Sequence, residues 1–140
     1  MKIVFLSLFF YSFSLCAHIK KGISVQLDRG LELGTLVSGD GIKVIDPNRG
    51  DLNDSARFKV FGEPNTSFTF VLPERVNLSH ASQPANQLII ADFTSMPANR
   101  VGTLNSNGES YIYVGGSVSI PTEILPGEYR GHISVEVLYE

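Results

Sequence analysis

Apolar and polar side chains alternate with a period of two in short segments along this chain, and the 3.6-residue period of a helix almost never appears. That pattern restricts the chain to sheets buried on one face. It predicts strands at residues 23–27, 31–37, 42–45, 57–61, 67–72, 87–93, 111–114, 117–120 and 129–139. Turn clusters separate them, among them Asp28-Arg29-Gly30, Ser38-Gly39-Asp40-Gly41, Asn105-Ser106-Asn107-Gly108 and Pro126-Gly127. Glycine supplies positive φ at such places, while Pro and Asn start turns, so each cluster has a mechanical reason to end a strand. Residues 74–87, polar and containing Pro84, read as the longest loop. Many short strands with regular turns make the chain all-β, a sandwich or a barrel.

The amino terminus opens with Met1-Lys2, an uncharged run over residues 3–17 rich in Leu and Phe, and Ser14-Leu15-Cys16-Ala17 ahead of His18. This is the form of a secretory signal peptide. The apolar run is shorter than the roughly 20 residues a membrane span needs, and no later segment approaches that length, so no transmembrane span is expected once the leader is removed. The only cysteine, Cys16, leaves with residues 1–17, so the exported chain needs a packed core without disulfides. Losing Lys2 moves the formal charge from −3 to −4. Basic residues are scattered apart from Lys20-Lys21, which argues against a nucleic-acid partner. The remaining 123 residues suit one domain.

No catalytic or metal-binding constellation stands out. His18, His80 and His132 have no shared spacing and read as surface residues. The run Asp46-Pro47-Asn48-Arg49-Gly50-Asp51 gathers oxygen side chains, but its glycine is misplaced for an EF-hand and no bidentate Glu follows. It reads as an Asx-rich turn. The expectation is a non-enzymatic protein without a cofactor.

Four strings carry a resemblance: Leu31-Glu32-Leu33-Gly34-Thr35-Leu36, Ala56-Arg57-Phe58-Lys59-Val60-Phe61-Gly62-Glu63-Pro64, Val114-Gly115-Gly116-Ser117-Val118-Ser119-Ile120, and Gly127-Glu128-Tyr129-Arg130-Gly131. In this order they resemble a family of secreted bacterial proteins catalogued as a domain of unknown function, over nearly all of the exported chain. Leu33 departs from the pattern, where Phe more often precedes Gly-Thr, but it keeps the position apolar. That family is similar in layout to the subunits of chaperone-usher pili, an analogy of architecture. It implies an immunoglobulin-like β-sandwich that either lacks one strand, donated by a neighbouring subunit, or is complete in itself.

The analogy assigns roles to both ends of the chain. Residues 1–17 are the leader, 18–29 a donor extension or a first strand, and 30–140 the sandwich domain. Ile19, Ile23, Val25 and Leu27 share one parity, interrupted by Lys21, and are the donor candidates. Ile133, Val135, Val137 and the penultimate aromatic Tyr139 share one face of a terminal strand and are the groove-edge candidates. A plain intradomain hairpin explains residues 23–37 equally well. The implied partners are a periplasmic chaperone, an outer-membrane usher and other copies of the chain or related subunits. The implied location is the periplasm in transit, then the cell surface or a fimbrium. The competing reading is a self-contained secreted binding module, for which Tyr111, Tyr113 and residues 74–87 are the surfaces to inspect.

Overall fold

The computed structural model describes residues 21–33 and 35–140. The expected leader at 1–17 and the donor candidate Ile19 lie outside the described residues. Ten strands form in chain order: β1 (Ser24–Arg29), β2 (Gly41–Ile45), β3 (Ala56–Phe61), β4 (Ser67–Val71), β5 (Arg75–His80), β6 (Gln87–Met96), β7 (Val101–Thr103), β8 (Glu109–Ile120), β9 (Tyr129–Arg130) and β10 (Glu136–Tyr139). One sheet has the order β1-β3-β8-β6-β5-β9, with β2 also paired to β8, and the other has the order β10-β4-β7. The architecture is a β-sandwich of antiparallel strands. Among the described residues no helix is long and apolar enough to cross a membrane.

The alternation that predicts the strands also builds the core. Ala56, Phe58 and Val60 of β3, Phe68 and Phe70 of β4, Leu88 and Ile90 of β6, and Ile112, Val114 and Val118 of β8 are buried between the sheets, with Val137 opposite. Burying side chains of this size stabilises the fold by about 1.5–3 kcal/mol each. β8 is the spine, because β3 pairs with its first half, β2 with its second half, and β6 runs along its other side.

Five expectations need correction. Residues 111–114 and 117–120 are one strand, not two, because Gly115 and Gly116 continue β8 instead of ending it. A Cβ on Gly115 would lie 2.0 Å from the Ile45 carbonyl oxygen, and one on Gly116 would lie 2.7 Å from Ile90. These glycines permit close approach within a sheet. The loop expected at 74–87 contains β5, whose Val76, Leu78 and His80 turn inward between polar neighbours. His80 is therefore not a surface residue: it is 7% exposed. Its Nδ1 accepts from the backbone of Ser82 and Gln83, both at 3.1 Å, and Nε2 lies 2.8 Å from the Pro126 carbonyl, placing the proton on Nε2.

The strand expected at 31–37 joins no ladder among its described residues. Leu31, Leu33 and Leu36 lean on the core while Glu32 N bonds the Asp54 carbonyl at 2.8 Å, so apolar spacing here reports burial without pairing. The strand expected at 129–139 is two, β9 on β5 and β10 on β4. Between them the chain crosses from one sheet to the other. Ile133 and Val135 still pack on the core during the crossing, which is why the alternation does not reveal the break.

Candidate functional site

β1 is an end strand of the larger sheet, β10 is an end strand of the smaller one, and the two lie in contact. β1 runs antiparallel to β3 with Ser24 opposite Phe61, Val25 opposite Val60, Gln26 opposite Lys59 and Leu27 opposite Phe58. Because Phe58 and Val60 are core residues, Val25 and Leu27 face inward with them. Ile23 and Val25 pack on the core, yet Leu27 remains 56% exposed despite its inward direction. The donor candidates Val25 and Leu27 thus sit on β1, with Ile23 just ahead of it, in their own chain's sandwich.

The groove-edge candidates divide. Val137 and Tyr139 are on β10, opposite Phe70 and Phe68, while Ile133 and Val135 belong to the crossing before it. Glu140 N bonds Ser67 O at 3.1 Å, extending the same register. An antiparallel ladder alternates bonded and non-bonded pairs, so Glu136 and Leu138 also bond toward β4 and the backbone groups of Val137 point to the opposite side. Among the described residues no strand pairs with that side. An apolar cleft of about 260 Å³ opens at the start of β10, lined by Val71, Leu72, Pro73, Ser134, Val135 and Glu136. The adjoining cleft, about 360 Å³, is more polar and takes in Glu74, Asp92 and Arg100.

The Tyr139 hydroxyl joins the two strands. It donates to the Lys21 carbonyl ahead of β1 and accepts from Glu63 N, at 2.8 Å, in the turn between β3 and β4. Glu63 completes the clasp by accepting Lys21 N on Oε2 at 3.1 Å. The ring needs Gly62 beneath it, since a Cβ there would fall 2.7 Å from the Tyr139 oxygen and 2.9 Å from Leu104. At the other end of β1, Asp28 pairs with Arg57, and Arg29 donates to the carbonyls of Ser55 and Leu52. The hydrogen bond that Arg57 donates to Asp28 raises the Arg57 pKa, so that guanidinium is a permanent cation.

On the outward face of the larger sheet, Arg57 lies 5.3 Å from the Tyr111 ring centroid, and Lys59 lies 5.1 Å from Phe61 and 5.8 Å from Tyr111. Tyr111 is partly exposed, and Tyr113 stands opposite Arg57. The oxygen-rich run at 46–51 folds as an Asx turn: Asp46 accepts from Asn48 N at 2.9 Å, and Asp51 accepts from Asp46 N at 3.0 Å. Sequence reasoning missed Glu63, Gly62, Asp28 and Arg57. The Gly-Glu-Pro turn signal marked the first two as a strand end, with nothing to connect them to Tyr139.

Residues 49–139 match the model of the family described as Domain of unknown function (DUF4402), and the chain belongs to that family. The match begins after β1 and β2. No curated protein and no solved structure matches the chain.

Proposed function

We propose that this member of the family is an exported structural subunit of the pilus type, an immunoglobulin-like sandwich that assembles by exchanging its amino-terminal strand between copies. The observation that carries the reading is the seam. An end strand, β1, lays its inward apolar residues on the edge of β3 beside β10, and a terminal strand in such an edge can be supplied by another chain. The cleft beside Val135 and the half-exposed Leu27 each leave apolar surface open. A periplasmic chaperone and an outer-membrane usher fit this reading as partners that would keep the seam from closing wrongly. The leader at residues 1–17 fits export to the cell surface.

The test is refolding of the exported chain at about millimolar concentration, followed by light scattering, electron microscopy and unheated detergent gels. Fibres or ladders that heating disperses are expected, together with their loss when residues 18–28 are removed. A monomer at every concentration, indifferent to that removal, overturns the reading. One observation favours the alternative of a self-contained binding module: β1 already completes an intrachain ladder on β3. The aromatic and cationic face of Arg57, Lys59 and Tyr111 would then be the binding surface, and a soluble monomer would be the active form.

A further inference from the structure

We propose that the slot β1 fills on its own β3 is the docking site for β1 of a second copy, in the same register as in the closed chain. The inference rests on the strand-exchange reading and names its acceptor: the edge of β3 closed off by Tyr139, not the far side of β10.

The occupant is specified by the walls of the slot. Phe58 and Val60 receive the inward side chains of positions 27 and 25. Arg57 requires a carboxylate at position 28, and the Ser55 and Leu52 carbonyls take the guanidinium of position 29. Glu63 and Tyr139 take the backbone N–H and C=O of position 21. A strand with this apolar parity followed by Asp-Arg is another β1. All of these partners lie in residues 52–63 or at Tyr139, so an incoming β1 meets the same atoms whichever chain supplies it.

The connection permits the exchange. Residues 30–40 join β1 to β2, and within them 31–33 and 35–37 contribute to no ladder. Once Leu31, Leu33 and Leu36 leave the core and Glu32 releases Asp54, eleven extended residues reach roughly 36–40 Å, enough to carry β1 from its own slot to a neighbour's. Each copy then gives its strand to the next and accepts one from the previous copy. That heterologous contact extends into a chain of subunits unless it closes on itself.

Cross-linking reads the register directly. Gln26 and Lys59 stand opposite each other on the outward face, and directly opposed antiparallel residues have Cα separations of about 4.5–5.5 Å, within disulfide reach. In the exported chain, which has no cysteine of its own, a copy carrying Gln26→Cys and a differently tagged copy carrying Lys59→Cys are refolded together at about millimolar concentration and oxidised. The expected product is a disulfide between the two tags wherever a Gln26→Cys strand enters a Lys59→Cys chain, with little product when Leu138→Cys on β10 replaces Lys59→Cys. With both Gln26→Cys and Lys59→Cys in one chain, oxidation is expected to leave monomers that assemble only after reduction. Assemblies in which position 26 captures position 138 and not position 59 overturn the β3 slot and leave strand exchange standing. If the unmodified chain forms nothing larger than a monomer, the exchange reading itself fails, and the slot with it.

Discussion

Replacing Tyr139 with Phe keeps the ring over Gly62 and removes only the hydroxyl, so it isolates the clasp. Two hydrogen bonds are lost, one from Glu63 N at 2.8 Å and one to the Lys21 carbonyl. At about 0.5–1.5 kcal/mol net each, the variant should unfold about 1–3 kcal/mol more easily, toward the low end because the clasp is partly exposed to water. The two bonds differ in what they restrain. When β1 alone detaches, the bond between Glu63 and Tyr139 survives and only the one to Lys21 breaks. Local opening of β1 should therefore increase by the worth of one bond, roughly 2- to 13-fold. Amide hydrogen exchange separates the two effects: exchange at residues 24–29 is expected to quicken by that factor, while β8, which exchanges through global unfolding and so loses both bonds, quickens more. Unchanged exchange at 24–29 beside a faster β8 would show that the hydroxyl does not hold β1, and the clasp argument would fall.

Three further substitutions probe the frame around the seam. Gly115→Ala places a Cβ where the Ile45 carbonyl stands, so β2 should be pushed from β8 at a cost of about 1–3 kcal/mol in denaturant unfolding. His80→Ala leaves the Ser82 and Gln83 N–H groups without their acceptor; a loss of about 2–3 kcal/mol and faster exchange over 81–86 and 126–130 are expected. Asp28→Asn removes a half-exposed ion pair with Arg57 and should lower the denaturation midpoint only slightly, an effect that shrinks as salt is added.

The sandwich was legible because strand alternation and burial coincide over most of the chain: the inward residues of β3, β4 and β8 are those that period two selects, and β6 follows it to Ile90 before a register shift turns Phe93 inward. It failed where the two come apart. Leu31, Leu33 and Leu36 alternate well enough to suggest a strand, yet they cover the core from an unpaired segment. Ile133 and Val135 keep the parity of a strand through a change of sheet. β5 stayed hidden because Arg75, Asn77 and Ser79 outweigh Val76 and Leu78 in a short window, and because His80 is apolar in position but not in composition. At the seam, the parity of Val25 and Leu27 and the placing of Tyr139 were readable from the residues alone. Their meeting was not, since the hydroxyl, Lys21 and Glu63 are joined by a tertiary contact that no local spacing encodes.

Strand exchange of this kind has a thermodynamic consequence. The contacts of β1 with β3 are the same within one chain and between two, so they cancel in the exchange and cannot drive it. What remains is surface that the closed chain leaves open. Leu27 is 56% exposed, and burying the rest of one such side chain is worth about 1 kcal/mol. Against this, β1 on its short tether competes for its own slot at an effective concentration on the order of millimolar. A closed monomer at micromolar concentration should thus persist for as long as it is watched by light scattering. Assembly should appear when chains refold together at about millimolar concentration, or when a partner holds β1 out of the slot until a neighbour arrives. Spontaneous fibres from dilute, folded monomer would mean that the exchanged state gains several kcal/mol from contacts elsewhere, and the apolar cleft beside Val135 would be the first place to seek them.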